Sequence, residues 1–252
     1  MIPLELVIAR YQEPLDWLRR VPPSWRITIY NKGAPLNRPS LPLPNVGREA
    51  HTYLHHLVSR RTSLARHTVF VQGHPFDHVP DLHRKLTAWT SGQAAIRPFE
   101  WLGFLVDWDD PEGKRLFVPW SKNPDRLTLP TGHLYRQLFG RPPPERFLFF
   151  GGAHFSLTAD LALRRPPDFY QRALRIASTH PLAAHAFERF WDHLFGVNGI
   201  PDHLQAGPFP TYLKRIRRLE NDPADRASPA PEPRLDPDRA RSGLEQSPSG
   251  YW

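Results

Sequence analysis

Two spacings of apolar residues run through this chain. In "WRITIYNKG", Ile27 and Ile29 alternate with Thr28 and Tyr30, the period of a strand. "LELVIARY" and "HTVFVQGHP" are short apolar runs closed by polar or Gly turns and read as further strands. "WLGFLVDWDD" reads as a fourth, with "GKRLFVPW" returning from it as a hairpin. "RFLFFGGAHFSLT" reads as another strand entering a Gly-Gly turn. Helical spacing takes over in between. "PLDWLRRV" places Leu15, Leu18 and Val21 together, and "LPNVGREAHTYLHHLV" aligns Val46, Ala50, Tyr53, Leu54, Leu57 and Val58 on one face. "PPDFYQRALRIAS" and "PLAAHAFERFWDHLFG" predict two more helices. Strands alternating with helices imply an α/β fold, a single mostly parallel-sheet domain over residues 1–220. From about residue 221 the chain is rich in Pro, Ser and charge, which predicts a disordered tail over 221–252.

An open parallel sheet binds ligands beyond the carboxyl ends of its strands. Four polar clusters follow predicted strands: Arg10–Tyr11–Gln12–Glu13, Asn31–Lys32–Gly33, Gln72 to His78, and Gly151–Gly152–Ala153–His154. The Asn45 helix would begin at the same edge, with Asn45 as N-cap and the N–H groups of Gly47, Arg48 and Glu49 facing out. A helix N-terminus beside Lys32 and Arg48 suits a phosphate or diphosphate. The plainer alternative is that Asn45 merely caps and Arg48 pairs with Glu49.

Composition narrows the chemistry. The 252 residues contain no Cys, which removes disulfides, thiolate metal sites and Cys nucleophiles. The 30 prolines predict irregular connections. The N-terminus lacks a signal-peptide pattern and no apolar window reaches a membrane-spanning length, so a cytoplasmic protein without a membrane span is expected. Net charge is +8; residues 221–252 carry six acids and four Arg, leaving +10 on residues 1–220. That balance suits anionic partners or a plain charged surface. Nucleic acid is not expected as a partner, because "YLKRIRRLE" is short and reads as one solvated helix face.

Several groups could hold a divalent cation, Mn or Mg. His74, Asp77 and His78 share one loop and can bind a metal or orient phosphates directly. Asp107 and Asp109 are spaced to share an ion, or serve as turn residues between strands. His51 and His55 are spaced i,i+4, with packing the alternative. Glu188 lies among aromatic residues, where desolvation raises proton affinity and suits a general base; pairing with Arg189 is the alternative.

Six stretches, "ARYQEPLDWL", "IYNKG", "NVGREAHTYLHHLV", "VFVQGHPFDH", "GGAHFSLTADLALRRPPDFYQRAL" and "FERFWDHLFG", together resemble an uncharacterised bacterial and fungal family that carries the label of a domain of unknown function. The resemblance spans roughly residues 5–200. More distantly, the order of motifs is similar to nucleotide-sugar glycosyltransferases of the A-type fold. "NVGRE" matches their helix start at Asn45, Gly47, Arg48 and Glu49, and Glu188 in "FERFW" matches a base-bearing helix. The resemblance implies a nucleotide-sugar donor, transfer to a glycan or other hydroxyl acceptor, and Gly151 and Gly152 opening the backbone to that acceptor. His74 would assist the diphosphate, with Tyr11, Asn31, Gln72, Asp77, His78 and His154 around the substrate. The metal-binding Asp pair of those enzymes is replaced at its expected place by "QGHP". The other readings are a binding protein without chemistry and a metal-assisted phosphoester hydrolase using His74, Asp77 and His78.

Overall fold

A computed structural model describes residues 3–117 and 127–213. The first strand, β1 (Leu4–Arg10), pairs in parallel with β2 (Arg26–Asn31) on one side and β4 (His67–Gln72) on the other. A two-residue β3 (Leu41–Pro42) continues the parallel set beyond β2. On the far side β8 (Phe155–Thr158) runs antiparallel to both β4 and β5 (Phe99–Trp101). The six-stranded order is β3-β2-β1-β4-β8-β5. A second, antiparallel sheet has the order β7-β6-β9, built from β6 (Leu105–Asp109), β7 (Phe147–Phe150) and β9 (Thr211–Tyr212). The fold is thus mixed α/β with a mostly parallel main sheet.

The near-continuous apolar run of β1 has a direct cause: both faces of its sheet are covered. Leu6 and Ile8 point to one face, where they meet Trp17 and Leu18 of a 3-10 turn (Asp16–Arg20) and Leu82 and Leu86 of α2 (Leu82–Thr90). Val7 and Ala9 point to the other, larger core. That core is closed by α1 (Arg48–Ser59), α3 (Thr131–Phe139), α4 (Ala159–Leu163), α5 (Pro167–Thr179), α6 (Ala183–Glu188) and α7 (Trp191–Phe195). It is dominated by aromatic residues: Tyr53, Phe70, Phe155 and Trp191 lie within 5.1–5.7 Å of one another, ring centre to ring centre, in successive pairs.

Three elements depart from the sequence expectation. "GKRLFVPW" does not return from β6; β7 and β9 flank that strand, and residues 111–117 form turns and the start of a helical turn, with 118–120 outside the described residues. The acids of "DWDDPEG" do turn chemistry. Asp110 accepts hydrogen bonds from the backbone of Glu112, Lys114 and Arg115, and Asp109 from that of Asp110 and Leu116. "RFLFFGGAHFSLT" is two strands in different sheets, with the Gly151–Gly152 turn passing between them. "PLAAHAFERFWDHLFG" breaks into α6 and α7 at Arg189–Phe190, where Phe190 leaves helical geometry at φ −144°. There the buried Arg189 guanidinium is held by Asp109, Glu188 and the His185 carbonyl. The predicted tail, 221–252, and "KRIRRLE" at 214–220 lie outside the described residues. Among those described, no helix is long and apolar enough to cross a membrane.

Candidate functional site

Because β2 and β4 lie on opposite sides of β1, the connections leaving the sheet diverge at its carboxyl edge and leave a crevice. A cavity of about 300 Å³ occupies it, lined by Ala9, Arg10, Tyr11, Gln12, Glu13, Lys32, Asn45, Arg48, Glu49 and Gln72. It therefore draws on the ends of β1, β2 and β4 and on the start of α1.

The loops around it are locked to one another. Arg10, buried, donates to the Glu13 carbonyl (3.1 Å), Asn31 Oδ1 (2.7 Å) and the Ala34 carbonyl (2.9 Å). Asn31 in turn donates from Nδ2 to the Gly33 and Ala34 carbonyls. Its expected substrate role gives way to this: the side chain is buried and joins the loops after β1 and β2. A Cβ at Gly33 would stand 1.7 Å from the Tyr11 carbonyl oxygen, so only glycine lets these loops cross. Glu13 Oε2 accepts the backbone N–H groups of Tyr11 (2.7 Å) and Gln12 (3.1 Å) and packs on Gly73, whose carbonyl receives Trp17 Nε1 (2.9 Å).

α1 begins differently from the sequence expectation. Its N-cap is Gly47, in the left-handed region at φ 57°, and Arg48 follows at φ 45°. Asn45 lies two residues too early to reach the first-turn N–H groups, and it is an exposed member of the cavity wall. The cause is close packing: a Cβ on Gly47 would meet the Ala177 carbonyl of α5 at 2.1 Å. Positive φ at a non-glycine residue is strained and concentrates at functional positions. Among the described residues, Arg48 and Ala153 are the two that show it.

Lys32 reaches across the gap and donates from Nζ to the carbonyls of Val46 (2.6 Å) and Arg48. Burial lowers its pKa to about 8, with Glu49 acting in the opposite sense. Glu49 itself is pushed up by burial, opposed by its own backbone N–H, Arg48 and Lys32, and raised further by Glu188.

The remaining candidates sit behind or beside this cavity. Glu188 is not among its lining residues; Oε1 accepts the Gly152 N–H (2.6 Å) and Oε2 pairs with Arg189 (2.7 Å). Gly152 does not open the backbone to an acceptor. A Cβ there would meet the His78 ring at 2.4 Å, so the protein's own imidazole fills the space, and φ is +94°. A Cβ on Gly151 would stand 3.8 Å from the same ring, an ordinary van der Waals contact. His154 is fully buried beside His78 (ring centres 5.8 Å apart), and burial holds it neutral. His74 Nε2 lies 3.8 Å from Asp77 Oδ1, and the Asp77 side chain is 76% exposed.

The proposed cation sites do not fit a metal. The His78 ring packs on the Gly152 turn. Asp107 pairs with Arg115 (2.9 Å) and Asp109 with Arg189 (3.2 Å). His51 and His55 stack on each other, 6.1 Å between ring centres. Among the described residues, no three His, Asp or Glu side chains are placed to hold an ion. Arg10, Gln12 and Glu13, which the sequence places in a strand-end cluster outside the expected site, also line the cavity; their position directly after the first strand is the signal for it.

The fold and cavity define a mixed α/β protein with a cationic pocket at a sheet edge. Residues 6–98 match the model of a family described as "Protein of unknown function (DUF3431)". The match takes in most of β1, all of β2, β4 and α1 and every cavity-lining residue, and leaves out the Gly152 turn and Glu188. No curated protein and no solved structure matches the chain.

Proposed function

We propose that the cavity binds the diphosphate of a nucleotide-sugar and that the protein transfers the sugar to an acceptor hydroxyl, on a fold of the glycosyltransferase A type. The observation that carries this reading is the meeting of Lys32, Arg48 and the first turn of α1 in one cavity at the point where the sheet connections diverge. Two cations and a helix N-terminus stabilise the negative charge that builds on a departing diphosphate, and fixed positive groups are what such a step requires. The scheme sets the chain's own cations, Lys32 and Arg48, against the diphosphate.

Glu49 then takes the base role that the sequence assigned to Glu188. It lines the cavity, and its raised proton affinity suits removal of an acceptor proton. Glu188 stands behind it and anchors the Gly152 turn. His74 is left outside the cavity wall and has no part in the step. A non-catalytic nucleotide-sugar binding protein is the second reading, favoured by the engagement of both Glu188 oxygens within the protein. The hydrolase reading lacks a three-residue cation site among the described residues.

A thermal-shift panel of nucleoside diphosphates and their sugars tests binding, because a ligand of the folded state must raise the melting point. A rise with at least one nucleoside diphosphate, lost in Lys32→Met, is expected; a flat panel overturns both readings. Product formation with the stabilising donor, abolished by Glu49→Gln while binding persists, separates transferase from binding protein.

A further inference from the structure

The opposite edge of the main sheet has a charge pattern of its own. The chain leaves α1 and enters β4 through Arg60, Arg61 and Arg66, and it leaves β8 through α4 to Arg164 and Arg165. Backbone and side-chain bonds tie these segments together. Arg61 Nη2 donates to the carbonyls of Leu163 (3.3 Å) and Arg165 (2.7 Å), and the Ala159 N–H donates to the Arg66 carbonyl (3.2 Å). Arg97 joins them, because the Thr158 N–H bonds to the carbonyl of the next residue, Pro98 (2.9 Å). Arg60, Arg66, Arg97 and Arg164 are exposed, and none of the six arginines forms an ion pair among the described residues. Acids near this edge include Asp160 and Asp168, both exposed, and Glu5, buried and paired with Arg26. In the middle stands Leu163, 42% exposed on a short helix.

We propose that this arginine edge docks the protein on an anionic lipid bilayer, with Leu163 entering between headgroups. Clustered unpaired arginines are attracted to a negatively charged surface, and an aliphatic side chain among them adds burial that a soluble polyanion cannot offer. Nucleic acid fits less well: the exposed large side chain here is aliphatic, not an aromatic on which bases could stack. β1 is 7 residues long, so at about 3.3 Å per residue the cavity opens roughly 20 Å away, at the far end of the sheet, toward water. This docking is independent of what the cavity binds.

The test is co-sedimentation of the full chain with phosphatidylcholine vesicles and with vesicles containing phosphatidylglycerol. Binding to the anionic vesicles alone, weakened by salt, is expected. Arg66→Glu with Arg164→Glu lowers that binding at least about tenfold, since each basic residue near an anionic surface contributes appreciably. Leu163→Asn lowers it severalfold while leaving heparin binding unchanged. Should the double variant melt abnormally, Arg66→Gln and Arg164→Gln, measured singly, must each lower binding. Equal binding to neutral vesicles, undiminished binding by these variants, or displacement of the protein from vesicles by duplex DNA overturns the proposal.

Discussion

Lys32 is a half-buried cation held in place by two carbonyl oxygens, and its proton is loosely kept. With a folded-state pKa of about 8, below its ordinary value, the ammonium form costs stability at neutral pH. The sign follows: stability contributed by this group is absent below about 8 and rises with pH from there toward the unfolded value of about 10.4. An anion in the cavity needs the charged form. Pyrophosphate affinity, measured by calorimetry across pH 7 to about 9.5, is therefore expected to fall above pH 8, and Lys32→Met removes that dependence. At this scale the sequence was informative where a residue's chemistry is local. Lys32, Arg48, Glu49 and Gln72 reach the cavity as their positions after strands and at a helix start implied. It was not informative where the deciding contact is distant. Asn45 looks like a cap until Ala177 of α5 forces the turn at Gly47, and Gly152 looks like an opening until His78 fills it.

Among the elements, the two short helices α6 and α7 depend on buried charge. Arg189 joins Asp109 of β6 to Glu188 of α6 while lying 4.6 Å above the Phe149 ring, and both it and Asp109 are almost fully buried. Removing one partner strands the other charge. Arg189→Met is expected to lower the unfolding free energy by about 3–5 kcal/mol in urea titration, and adding Asp109→Asn should restore part of it. One helix was the natural reading of "PLAAHAFERFWDHLFG", because nothing in its periodicity marks the break that this ion pair imposes. α2 and α3 were missed for the opposite reason: "LHRKLTAWT" and "TGHLYRQLF" are nine residues each, too short for a pattern with so few apolar positions.

α7 carries a second titrating group. Asp192 accepts the backbone N–H groups of His193 (2.9 Å) and Gly199 (2.8 Å), yet burial raises its carboxyl to about 7. A raised carboxyl contributes stability below its unfolded pKa of about 3.9 that is lost as pH climbs to about 7. The melting temperature should therefore carry a falling component between pH 4 and 7 that Asp192→Asn flattens, as scanning calorimetry on both proteins would register.

For the whole molecule, the parallel core was legible because β1, β2 and β4 each show a compact apolar run closed by polar or glycine residues. Of the antiparallel additions, β6 was legible as a strand but its pairing was not: β5 and β9 are three and two residues long, and β7 and β8 share one apolar stretch yet join different sheets. No local period records which sheet a strand will enter.

The stapling of the loops by Arg10, Asn31 and Glu13, across a crossing where a Cβ has no room, carries one more consequence. The pocket is cast before any guest arrives. Uptake should proceed in a single kinetic phase set by diffusion, with amide hydrogen exchange in residues 10–13 and 31–34 already slow in the free protein and little altered on saturation.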